Sequence, residues 1–174
     1  MKEWCALAAR LVTGGVWVAA GVIKLPDPYE SVLAVRSYQL LPGDTATPVG
    51  HLLPVVEIVV GLCLVLGLLT RGAAVLSGLL FVAFILGISS VWARGIQIDC
   101  GCFGGGGYDP NASSQYPWEI ARDAGLLLLS GFLVWVGAGR LALDSLLFRR
   151  NTWTEADLEL DLDPEPEPEH VEGS

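Results

Sequence analysis

Charge is scarce in this sequence. Only 17% of its 174 residues are Asp, Glu, Lys or Arg, and none falls between Gly72 and Ala93 or between Ala124 and Gly139. A further apolar run, enclosed by Asp44 and Arg71, is broken only by His51 and Glu57. With 52% hydrophobic residues and a mean hydropathy of +0.53, such runs exclude an ordinary soluble domain. Segments of about 20 residues are what crosses about 30 Å of hydrocarbon. A cleavable leader is not expected either. Trp4 to Ile23 follows Lys2, but it carries Arg10 inside it, is long for a signal's apolar core, and is followed by "GVIKLPDPYE", which offers no small-x-small cleavage site. Surplus positive charge is missing too. The 19 acids divide into ten in 1–150 and nine in 151–174, and the first set is matched by all ten Lys and Arg. The body is neutral, which excludes an electrostatically bound nucleic acid.

What is present follows from these gaps. The expected fold class is all-α: residues 1–150 form a four-transmembrane-helix bundle with spans at about 4–23, 49–69, 72–92 and 118–139 in a lipid bilayer. Residues 151–174 form a disordered acidic tail, because alternating Pro and Glu neither make a helix nor bury a core. Connections alternate across the membrane, so Lys2, Arg10, Arg71, Arg140, Arg149 and Arg150 share one side against Lys24, Arg36, Arg94 and Arg122 on the other. The positive-inside bias then places both termini in the cytoplasm of a multi-pass plasma-membrane protein, with loops 24–48 and 93–117 external. In the first of these loops, Tyr29, Val32, Leu33, Arg36 and Leu40 recur at helical spacing before Pro42, which predicts a short interfacial helix.

The second outer loop carries the chemistry. "IQIDCGCFGGGGYDP" sets Cys100 and Cys102 on either side of Gly101, between Asp99 and Phe103. Cysteines one residue apart bond if the backbone bends, and Gly101 permits the bend. The ring so closed is strained, hence oxidising and open to attack. A staple across so short a separation removes little chain entropy, so a redox pair explains it better than a structural one. The rival is a soft-metal site of Cys100, Cys102 and His51; structural zinc would want four Cys or His ligands, more than the outer loops offer. Asp99 opposes a thiolate at Cys100, which leans the activated thiol toward Cys102, and His51 is a candidate base. Cys5 and Cys63 lie toward the cytoplasmic side and are expected to act as small apolar residues out of reach of the loop.

Ionisable groups at membrane depth need partners. Glu57 lies roughly 9–12 Å below the outer end of its span, within reach of Lys24 or Arg122, either as a structural ion pair or as a proton relay. Asp123 needs a partner as well, and Arg10 is expected to snorkel to the cytoplasmic interface. Trp92 and Trp118 flank the loop as interface anchors or as walls of a quinone pocket, quinone being the candidate cofactor.

"GVIKLPDP", "SYQLLP", "LLPVVEIVVGLCLVLG", "SSVWARGIQIDCGCFGG" and "WEIARDAGLLLLSGFLVW" together resemble the MauE/DoxX family of redox-associated membrane proteins, most closely its MauE branch, over about residues 8–140. The resemblance implies a four-helix membrane bundle laid out like the quinone-linked disulfide-forming proteins. It also implies a role in maturing disulfide-rich envelope proteins, as in methylamine utilisation. The function expected is thiol–disulfide exchange at the outer face through Cys100 and Cys102. Envelope thiol or disulfide proteins are the expected clients, and a thioredoxin-like protein a candidate partner. The alternative is a non-enzymatic assembly factor or metal-binding module using the same loop.

Overall fold

The computed structural model describes residues 2–102 and 104–137, so Phe103 and the acidic segment 151–174 lie outside the described residues. Five helices form among them: α1 (Lys2–Lys24), α2 (Pro28–Ser37), α3 (Gly43–Leu66), α4 (Thr70–Ala93) and α5 (Ala112–Val136). Helices α1, α3 and α4 are long and apolar enough to cross a membrane. Helix α5 differs from the expected span at 118–139. It starts earlier, at Ala112, and Glu119, Arg122 and Asp123 charge its first half, leaving Ala124 to Val136 as its uncharged part.

Local chemistry sets the ends. Pro26 stops α1, and Asp27 opens α2 by accepting the N–H groups of Tyr29 (3.0 Å) and Glu30 (3.3 Å), with Pro28 in the first turn. Helix α3 ends on Gly67 in the left-handed conformation, and Leu68 N–H returns to Cys63 O at 2.9 Å. Arg10 completes this end. Rather than snorkelling, it is 1% exposed, and its Nε and Nη2 donate to Leu64 O (2.9 Å) and Val65 O (3.2 Å). A guanidinium consumed by helix-end carbonyls is satisfied without reaching water.

Helices α1 and α3 run antiparallel at close approach. A Cβ added at Gly14 would lie 2.8 Å from Gly61 O, and one at Gly21 would lie 2.7 Å from Pro54 O. Small residues of this kind let helix backbones touch where lipid supplies no hydrophobic drive. Helix α4 packs on α5, and Trp17 of α1 reaches across to Phe81 (ring centroids 4.5 Å apart) and donates to Ser77 Oγ at 2.7 Å. Ser77 in turn bonds Ser130 of α5 at 2.9 Å, so three helices share one buried polar chain in an otherwise apolar core. A second buried cluster, around Ile88, Val91, Ile98, Cys100, Cys102 and Tyr116, sits at the end where α4 passes into the cysteine loop.

Candidate functional site around Cys100 and Cys102

The loop from Arg94 to Asn111 folds back on itself. Ile98 pairs with Tyr108 as an antiparallel bridge, Asp99 N–H donates to Gly107 O (2.9 Å), and Asp109 N–H donates to Gln97 O (3.3 Å). The glycine-rich turn therefore rests against α2. Gly101 has φ +65°, and a Cβ there would lie 2.7 Å from Ala34 Cβ; one at Gly106 would lie 2.8 Å from Glu30 O. Glycine at 101 thus serves both the left-handed backbone and the contact with α2.

Two tyrosines fix the loop's depth. The Tyr38 hydroxyl, just beyond α2, donates to Cys100 O at 2.8 Å. Tyr116 of α5 accepts from Ile98 N–H at 3.0 Å, and its own proton goes to Ile96 O or Ile98 O, each at 2.9 Å. Burial, then the neighbouring Cys102 and Cys100, push the Tyr38 phenol far above its ordinary range, so it stays a donor.

Cys100 and Cys102 are unpaired thiols, 8% and 6% exposed. Cys102 N–H points at Cys100 Sγ from 3.4 Å, which holds the two residues in contact. The Cys100 thiol is pushed well above the ordinary thiol range, first by its hydrogen bond with the Cys102 side chain, then by burial and by a carboxyl neighbour, Glu119; the Cys102 N–H acts the other way. Asp99 Oδ1 is occupied by Gly101 N–H at 2.8 Å.

The two cysteines border different spaces. Cys100 lines a cleft of about 440 Å³ together with Asp99, Gly104, Trp118, Glu119 and Arg122. Cys102 lines a cavity of about 20 Å³ inside the bundle with Trp17, Phe84, Arg122 and Asp123. Beneath them lie two ion pairs. Lys24 Nζ meets Glu57 Oε1 at 2.6 Å with both side chains buried, and Arg122 pairs with its neighbour Asp123 at 2.9 Å. Of the two partners expected for Glu57, it is therefore Lys24 that reaches it. One oxygen of each acid, Glu57 Oε2 and Asp123 Oδ2, is buried without a hydrogen bond.

The other candidates are dispersed. His51 is exposed on α3, with Nδ1 at 2.9 Å from Thr47 O, and lines neither space. No three His, Cys, Asp or Glu among the described residues are grouped to hold a metal. Trp118 lines the cleft, whereas Trp92, 47% exposed, does not. Cys5 borders an apolar groove between α1 and α5 with Leu129 and Phe132, away from the loop. Sequence reasoning missed Tyr38, Tyr116 and Glu119. A signal existed for two of them: Tyr116, Glu119 and Asp123 recur at i, i+3 and i+7, which puts them on one face of α5.

Comparison with known proteins gives the family. The model of the family described as methylamine utilisation protein MauE matches residues 2–136. Methylamine utilization protein MauE of Paracoccus denitrificans is 37% identical over 100 residues, covering 57% of this chain and 54% of that protein, so the match spans about half the relative's length. An uncharacterized membrane protein of Mycobacterium tuberculosis is 33% identical over 150 residues, 84% of this chain and 83% of its own. No solved structure matches. A family match running from the start of α1 to the end of α5, over three helices able to span a bilayer, has one conclusion: the chain is a membrane protein belonging to the MauE family.

Proposed function

We propose that the chain is a four-span plasma-membrane protein that exchanges thiols and disulfides with envelope proteins through Cys100 and Cys102. The observation that carries this is the pairing itself: two unbonded cysteines joined by the Cys102 N–H to Cys100 Sγ contact, in a loop clamped by Tyr38 and Tyr116, with Cys100 bordering a cleft. A loop needing stability alone would gain little from cysteines two positions apart. In this reading α5 is the fourth span, entering at its charged first half, and α2 lies in the interface as a support for the cysteine loop. Both termini are cytoplasmic and the loop is external, where disulfides persist. The name of the Paracoccus relative makes a protein of methylamine utilization the first client to test.

The test combines topology with redox state. In intact cells, a membrane-impermeant maleimide should label Cys100 or Cys102 after mild reduction, and thiol mass-tagging before and after reduction should show the pair cycling through a Cys100–Cys102 disulfide. Labelling only after lysis would overturn the topology. Thiols that stay reduced at every physiological poise, with stoichiometric copper or zinc on the purified protein, would replace exchange by metal binding.

A further inference from the structure

We propose that Glu119 is the proton acceptor and donor for Cys100 during exchange, with Cys100 as the sulfur that meets the client. This rests on the exchange reading above and names the machinery within it. Three observations converge. Cys100, not Cys102, lines the open cleft, and Glu119 lines the same cleft. Glu119 Oε2 is buried without a hydrogen bond, and its carboxyl borders the same cleft as Cys100, near enough for the two groups to act on each other electrostatically. Cys100 Sγ, finally, is the sulfur that receives a backbone N–H, from Cys102 at 3.4 Å, a donor that favours the charged sulfur as it forms.

The resting environment explains why a base is needed. Burial and the Cys102 side chain keep Cys100 protonated, so the thiol is protected until a proton acceptor acts in concert with attack. In the direction of client reduction, the Cys100 S–H proton passes to the Glu119 carboxylate as Cys100 Sγ bonds to one client sulfur and the client S–S bond breaks. The departing client thiolate takes that proton back from Glu119. Cys102 then attacks Cys100 Sγ, closing the Cys100–Cys102 disulfide; the second client sulfur leaves as a thiolate and receives the Cys102 proton by the same carboxyl. Two electrons move from the cysteine pair to the client, two protons accompany them, and client oxidation is the same sequence reversed.

Several groups share the field at Glu119. Asp99 and Cys100 face it from the loop, Tyr38 from the end of α2, and Tyr116, Arg122 and Asp123 from its own helix. Lys24 of α1 acts on Asp123 from beneath. Arg122 is also within electrostatic reach of both sulfurs, so it offsets the negative charge that moves between them.

The test is the pH profile of a single thiol. Full-length Cys5→Ala/Cys63→Ala/Cys102→Ser protein in detergent, fully reduced, is mixed with dithiodipyridine, and release of thiopyridone reports the reaction of Cys100. With Glu119 intact, the rate should rise along an acid limb and level off near neutrality. Glu119→Gln should lose that limb and react about a hundredfold more slowly at neutral pH, recovering only in alkali as the thiol ionises by itself. Glu119→Asp should keep a weakened limb, which separates proton transfer from packing. An unchanged profile in folded Glu119→Gln protein would overturn the role of Glu119 while leaving exchange intact. A Cys100 that reacts with no disulfide at any pH would remove the exchange reading and this inference with it.

Discussion

The two ends of the bundle treat buried charge differently. At the α3–α4 turn, Arg10 is 1% exposed and its guanidinium is consumed by Leu64 O and Val65 O, so the charge closes a helix end. At the cysteine end, Lys24–Glu57 and Arg122–Asp123 are ion pairs whose acids each keep one buried oxygen without a hydrogen bond, and Glu119 does the same beside Cys100. A membrane bundle that needed only to fold would satisfy those atoms. The unsatisfied carboxylate oxygens all lie at the cysteine end, where the proposed exchange would use them to take up protons; the Thr13 and Ser31 hydroxyls are buried without a hydrogen bond as well.

The contrast is sharpest in the ion pair. Lys24→Ala leaves Glu57 buried and unpaired, so stability in detergent should drop by about 3–5 kcal/mol, and Lys24→Met/Glu57→Met should recover most of it. Arg10→Ala at the other end strips hydrogen bonds from the Leu64 and Val65 carbonyls, and should cost about 1.5–3 kcal/mol. Denaturant unfolding of the three variants orders them, and an Arg10→Ala loss equal to that of Lys24→Ala would erase the distinction between the ends.

Glycine substitution should separate the same regions. Gly101→Ala meets both the left-handed backbone and Ala34, and should cost about 2 kcal/mol while raising the alkylation rate of the loop thiols. Gly72→Ala near the α3–α4 turn, where a Cβ meets nothing within 4 Å, should be neutral or slightly stabilising. Smaller again is Tyr38→Phe. Loss of its bond to Cys100 O should cost about 1 kcal/mol, read as a lower melting temperature together with faster Cys100 alkylation.

Much of this was legible in the chain. The apolar runs located α1, α3 and α4 to within a few residues, except that α3 begins at Gly43, before the expected 49, because its first turns pack along α2, with Gly50 against Val32. The CGC spacing named the thiols, and the need of Glu57 for a cation named Lys24 as one of two choices. What stayed hidden depends on tertiary approach. Arg10 read as a snorkelling residue because nothing local shows that the end of α3 lies beside it. Glu119 went unread, since its meaning comes from a loop that folds back through pairing of Asp99 with Gly107. Tyr38 went unread too, because its bond to Cys100 O forms only where the loop passes over it.

A last effect is expected on pH. Because the fold holds the Cys100 thiol above its ordinary value of 9.0, the neutral thiol is favoured in the folded state. Its contribution to stability is complete below that pH and lost as pH rises past it, when the unfolded chain ionises first. Melting temperature should therefore decline between about pH 8 and about pH 10, and less steeply in Cys100→Ala.

The central claim, that the cysteine end exchanges disulfides with proteins, is tested most directly by trapping. Cells producing Cys102→Ser, which cannot resolve an attack at Cys100, are quenched with acid and alkylated, and the protein is run without and with reductant. The account predicts reductant-sensitive adducts with envelope proteins through Cys100, absent in Cys100→Ser/Cys102→Ser and weak in Cys100→Ser alone. Adducts that form equally at Cys102 would contradict the assignment of the cleft-facing sulfur, and no adduct in any variant would contradict exchange itself.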